Sequence, residues 1–176
     1  VSRGLGDVYK RQHMKLSELL NVLKTAETAE EMDVRREEIA ALIPAVRTMF
    51  GYDQKNSAHQ YDLWMHSLHV VCNLPRRMEN DMVYLAALLH DIGRLQQYLT
   101  GEDHAAAGMR TAQEILRDTA FSASEQQAFL QAVSKHRRGD TAQMLGRILC
   151  EADDASRMCF ACAAQDTCYW PEHRKN

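Results

Sequence analysis

The sequence contains no apolar run near the ~20 residues needed to cross a bilayer. It shows no apolar/polar alternation of the kind that marks strands, no internal repeat and no long linker. These absences exclude a membrane-spanning helix, an all-β sandwich, a solenoid and an obvious two-domain chain. An excess of one charge is missing too: 21 Lys and Arg stand against 24 Asp and Glu, for a formal charge of −3. That balance gives no reason to expect a dedicated nucleic-acid surface. Five cysteines, an odd number, occur without a signal-peptide pattern, so a reduced cytoplasmic protein is expected rather than a disulfide scaffold. What is present is 45% hydrophobic residues in 176, enough for one domain with a core and too many for a disordered chain.

The apolar residues recur at helical spacing. Leu16, Leu19, Leu20 and Leu23 open the series. Thr28-Ala29-Glu30-Glu31 reads as a capping box starting a helix that reaches about Phe50, kinked or split at Pro44. Further helices are expected over about 61–74, 80–90, 104–118, 124–136 and 141–157, with Gly93 ending the 80–90 helix. That helix is apolar nearly all round, the sign of a central buried element. The fold class expected is therefore all-α. Val1 to Gln12 has no such periodicity and resembles the in-frame translation of a sequencing-library adaptor. Residues 1–13 are accordingly read as a leader, with the natural start expected near Met14.

The chemistry is concentrated in histidines and aspartates. His90-Asp91 closes the apolar run Tyr84 to Leu89, where an unpaired carboxylate costs several kcal/mol (about 3–5 when a buried pair is broken). Metal ligation would explain both side chains, with an imidazole nitrogen and a carboxylate oxygen converging on one cation. On the 61–74 helix, His66 shares a face with Leu63, Ser67, Val70 and Leu74, whereas His69 aligns with Asp62, Met65 and Asn73. His66 therefore points inward. Asp153 continues the stripe of Leu145 and Leu149, and Asp154 is its fallback. His104 opens one helix and His136 closes the next. Each residue alone is weak evidence, but five helices of a compact bundle would bring the set together.

This ordered pattern resembles the HD-domain superfamily of metal-dependent phosphohydrolases, over about Ile43 to Met158. The run Tyr84-Leu85-Ala86-Ala87-Leu88-Leu89-His90-Asp91-Ile92-Gly93-Arg94 carries the likeness most specifically, with Arg94 where lysine is commoner. Phe50-Gly51-Tyr52-Asp53-Gln54 through His59 to Leu68 is similar to the HD portion of bacterial tRNA nucleotidyltransferases, whose nucleotidyltransferase domain is absent here. The arrangement of His136, Ala152-Asp153 and Arg157 resembles HD enzymes that hydrolyse symmetrical dinucleoside tetraphosphates.

The resemblance implies an HD helical bundle over residues 14–158 and a short Cys-containing tail over 159–176. It implies that His66, His90, Asp91 and Asp153 hold one divalent ion, with His104 and His136 adding a second bridged by Asp91. His90 and Asp91 would be the catalytic pair. Mixed imidazole and carboxylate ligands suit Mn²⁺, Fe²⁺, Co²⁺, Ni²⁺ or Zn²⁺, as one ion or two. The implied activity is hydrolysis of a phosphate ester or anhydride of a small substrate, with nucleotide as the default, by metal-activated water. A mixed-valent di-iron oxygenase, a nucleotide-binding regulatory module and a subunit beside a separate nucleotidyltransferase are the alternatives.

Arg94, Lys135, Arg137 and Arg138 lie beside the ligands and are the candidate phosphate-binding cations. The tail spacing of Cys159, Cys162, Cys168 and His173 permits a small structural zinc site, with reduced cysteines packed on the bundle as the alternative.

Overall fold

The structure is a computed structural model that describes residues 14–54, 60–76, 78–136, 142–168, 170–172 and 175. The expected leader, Arg137, Arg138 and His173 lie outside the described residues. Nine α-helices occur among them, and no strand. None of these helices is long and apolar enough to cross a membrane.

The N-terminal helices are α1 (Leu16–Thr25), α2 (Ala29–Asp33) and α3 (Arg36–Leu42), followed by a 3₁₀ segment at Pro44–Met49. The single helix expected from Thr28 to Phe50 is thus three pieces. It breaks at Val34 and Arg35, and again at Pro44, whose ring takes the first 3₁₀ position. The Thr28 side chain accepts from Glu31 N–H, but Glu31 reaches back to Glu27 N–H rather than to the cap residue itself.

Next come α4 (Leu63–Cys72) and α5 (Met82–Leu89). Asp62 caps α4 by accepting from Met65 N–H, and its other oxygen accepts from Gly51 N–H, so the preceding turn and the helix start are tied together. Every residue of α5 is buried, as its continuous apolar sequence requires. It packs against α1, α4, α8 and α9 and forms the axis of the bundle.

The chain then turns at His90–Gly93 into α6 (Arg94–Thr100), a helix absent from the sequence reading. α6 has no buried residue, so it carries no apolar stripe to be read; Tyr98 and Leu99 are exposed. The remaining helices are α7 (His104–Arg117), α8 (Ala123–Lys135) and α9 (Met144–Ala155). Asp103 caps α7 through Ala105 N–H and Ala106 N–H, and Ser122 and Glu125 form a complete capping box on α8. Two short 3₁₀ turns, Cys159–Ala161 and Gln165–Thr167, are the helical elements among the described residues of the tail.

Gly93 does not end the 80–90 helix as expected: α5 stops at Leu89 with His90 as its C-cap, and Gly93 stands at the N-cap of α6. Its φ is −81°, open to any residue, but a Cβ there would lie 2.1 Å from His104 O and 2.5 Å from Gly108 N. The absence of a side chain lets the turn after Asp91 lie directly on the first turns of α7. Gly93→Ala is therefore expected to lower unfolding free energy by about 3 kcal/mol, measured by urea denaturation. Gly108→Ala, whose Cβ would meet nothing nearer than 3.5 Å, should be neutral or stabilising by up to about 1 kcal/mol.

Candidate metal centre

Six side chains from five parts of the fold converge at one end of α5. α4 supplies His66, the turn after α5 supplies His90 and Asp91, the start of α7 supplies His104, the end of α8 supplies His136, and α9 supplies Asp153. None is more than 6% exposed. Asp154 is only half-buried and faces Arg157, at 3.8 Å.

Asp91 lies at the centre. Its Oδ1 is 3.3 Å from both His104 Nε2 and His136 Nε2. Its Oδ2 is 3.6 Å from His90 Nε2 and 4.0 Å from His66 Nε2. Asp153 Oδ1 completes the second group at 3.1 Å from His66 Nε2 and 3.9 Å from His90 Nε2. Two donors bound at about 2.1 Å to one cation sit about 3.0 Å apart at a right angle and about 3.4 Å apart at the tetrahedral angle. The observed separations begin in that range and extend slightly beyond it.

Helix ends set the imidazole orientations. His90 and His136 are the C-cap residues of α5 and α8, where last-turn carbonyls lack helical partners. His90 Nδ1 lies 2.8 Å from Ala87 O, and His136 Nδ1 lies 2.7 Å from Val133 O. A carbonyl only accepts, so Nδ1 carries the proton in both rings and Nε2 faces the centre. Nδ1 of His104 lies 3.9 Å from Asp103 Oδ2. His90 Nε2 is buried and makes no hydrogen bond among the described residues. A donor set of imidazoles and carboxylates, with a buried nitrogen lone pair aimed at its middle, fits a borderline divalent cation.

The electrostatics agree with the geometry. Burial pushes the His90 imidazole down to about 4. Burial alone would raise Asp91, but His90, Arg94 and His136 beside it hold its carboxyl well below the usual carboxylate range. Asp153 is likewise lowered, against its burial, by the imidazoles of His66 and His90 beside it. Burial would lower His136, yet Asp91 raises it above the ordinary histidine value.

The predicted phosphate cations separate. Arg94 Nε lies 3.1 Å from Asp91 Oδ2 with its side chain largely covered, so it contacts a ligand carboxylate directly. Lys135 is exposed on the last turn of α8. The tail cysteines are half-buried and unbridged. Among the described residues, the groups whose ligand atoms all lie within 4.8 Å of one another are His66–His90–Asp153 and His90–Asp91–His136, with no tail cysteine in either.

Two residues near the centre are absent from the sequence-based site set. Arg157 Nη2 lies 3.6 Å from Asp153 Oδ2, and its guanidinium lies 3.9 Å from the centroid of the Trp170 ring. Its i+4 spacing from Asp153 was the available signal. Ser156 is buried against His66, beyond the last helical residue, where periodicity offers no cue.

A family profile described as HD domain matches residues 19–158. The chain belongs to the HD-domain family, a superfamily of metal-dependent phosphohydrolases that bind divalent ions. It is also similar to an uncharacterized protein of Clostridium beijerinckii, 30% identical over 96 residues, which span 54% of this chain and 60% of that protein. No solved structure matches the chain.

The shifted groups give the metal-free protein a defined pH response. Folded His90 titrates near 4, whereas an unfolded histidine titrates at about 6.5. The unfolded chain therefore binds the extra proton, and stability falls as pH drops from 6.5 to 4, by up to about 3 kcal/mol. His136 acts in the opposite direction: its contribution is complete below 6.5 and is lost as pH rises through its raised folded value. Calorimetric melting of chelator-treated protein should accordingly peak near pH 6.5, and His90→Asn should flatten the acid limb.

Proposed function

We propose that the chain is a two-ion phosphohydrolase that cleaves a phosphate ester or anhydride of a small substrate, with nucleotides the favoured class. The observation carrying this reading is the division of Asp91: one oxygen faces His104 and His136, the other faces His66 and His90. A carboxylate arranged in that way suits a bridge between two cations. His66, His90, Asp153 and Asp91 would hold one ion, and His104, His136 and Asp91 the other. When bound, such ions acidify a water and neutralise charge on the attacked phosphoryl group.

The protein side chains have distinct tasks in this reading. His90 and His136 are fixed as Nε2 ligands by the carbonyls of Ala87 and Val133. Arg94 offsets the Asp91 charge and stands at the edge of the centre as the first cation to meet an incoming phosphate. Arg157, held between Asp153 and the Trp170 ring, offers a second. Lys135, at the end of α8, remains a candidate phosphate contact, as do Arg137 and Arg138, which lie outside the described residues. The nucleotide preference draws on the likeness to HD enzymes that hydrolyse dinucleoside tetraphosphates.

The test is metal-loaded hydrolysis of phosphomonoesters, cyclic nucleotides and dinucleoside polyphosphates, with phosphate release measured. Turnover by the wild type that falls at least about 10³-fold in Asp91→Ala is the expected result. His104→Ala should reduce bound metal from two ions to one per chain, measured by elemental analysis after gel filtration. Loss of both ions in that variant would contradict the division of ligands. Turnover is expected to persist without oxygen; iron-dependent oxygen consumption in its place would move the chain to the oxygenase class.

A further inference from the structure

We infer that Ser156 is a positioning residue for the metal centre, fixing His66 as an Nε2 ligand; this rests on the metal-centre reading above. Three of the four histidines differ from His66 in where they stand. His90 and His136 close their helices and His104 opens one, so each lies where the backbone has unpaired groups or a capping side chain is near. His66 lies inside α4, where the carbonyl one turn back is already committed to the helix. Its Nδ1 needs a partner from another element.

Ser156 meets that need. It is buried at the C-cap of α9, three residues beyond Asp153. Its hydroxyl donates to Asp153 O at 2.7 Å and lies 3.4 Å from His66 Nδ1. A hydroxyl has one proton, and here the carbonyl takes it. The oxygen therefore presents a lone pair to His66, and Nδ1 must be the donor. That leaves Nε2 to face Asp153 Oδ1, 3.1 Å away, and the centre. Ser156 thus couples two ligands of one ion: it grips the backbone of Asp153 and sets the ring orientation of His66. Hydrogen bonds of this kind to metal-ligating histidines hold the ring and raise its basicity.

A purely structural capping role would change stability and leave metal affinity alone, so the two roles separate experimentally. The probe is Zn²⁺, titrated into the full chain in competition with a chromophoric chelator, with Ser156→Ala and Ser156→Thr beside wild type. Ser156→Ala should weaken Zn²⁺ binding by about 10–100-fold, and Ser156→Thr, which keeps the hydroxyl, should restore it. In the zinc-loaded wild type, ¹⁵N NMR should place the His66 proton on Nδ1, assigned by the resonance lost in His66→Gln. Wild-type affinity in Ser156→Ala, or zinc on His66 Nδ1, overturns the role of Ser156 alone. A wild-type chain that takes up no Zn²⁺, Mn²⁺ or Fe²⁺ overturns the metal-centre reading, and this inference with it.

Discussion

Two carboxylates and four imidazoles buried together can coexist only if something pays the electrostatic cost of their burial. Asp91 is where that constraint is sharpest, being wholly enclosed, surrounded by four rings and touched by one guanidinium. The bundle is organised so that each partner arrives at this carboxylate from a different helix. α5 supplies the apolar axis that ends beside it, and α4, α7, α8 and α9 each contribute one ring or carboxylate. Removing Asp91 would leave the rings without their common counter-charge, whereas removing any one ring leaves the others paired.

Helix termini recur as the device that aims these groups. The ends of α5 and α8 each offer a carbonyl to a histidine, and the capped start of α7 delivers another histidine at its first residue. Only His66 departs from this scheme. A ring inside a helix can be as deeply buried as the others and still require support from a separate element.

Much of this was legible in the sequence because the relevant signals are local. The buried face of α4 and the continuous apolar run of α5 each depend on neighbours a few residues away, and both appear as helices with those faces covered. The six ligand candidates, chosen by stripe and by family order, do converge. What escaped depends on contacts between distant segments. The break at Val34 and Arg35 interrupts an unbroken periodicity. α6 has no inward stripe, Ser156 lies past its helix, and Gly93 reads as a stop when its role is to admit α7.

The chain leaves the metal centre at Gly93 and comes back to it at His104, where the two backbones touch. Everything between them is an excursion that begins and ends at one place. Because no residue of α6 is fully buried, most of its composition is only loosely tied to the core. Beyond Arg94, which contacts Asp91, and Asp103, which caps α7, side chains in that excursion are free to vary without disturbing the register of the ligands on either side. A fold built in this way keeps a fixed reactive centre beside an interchangeable rim, and selectivity can diverge there while the chemistry beneath it stays the same.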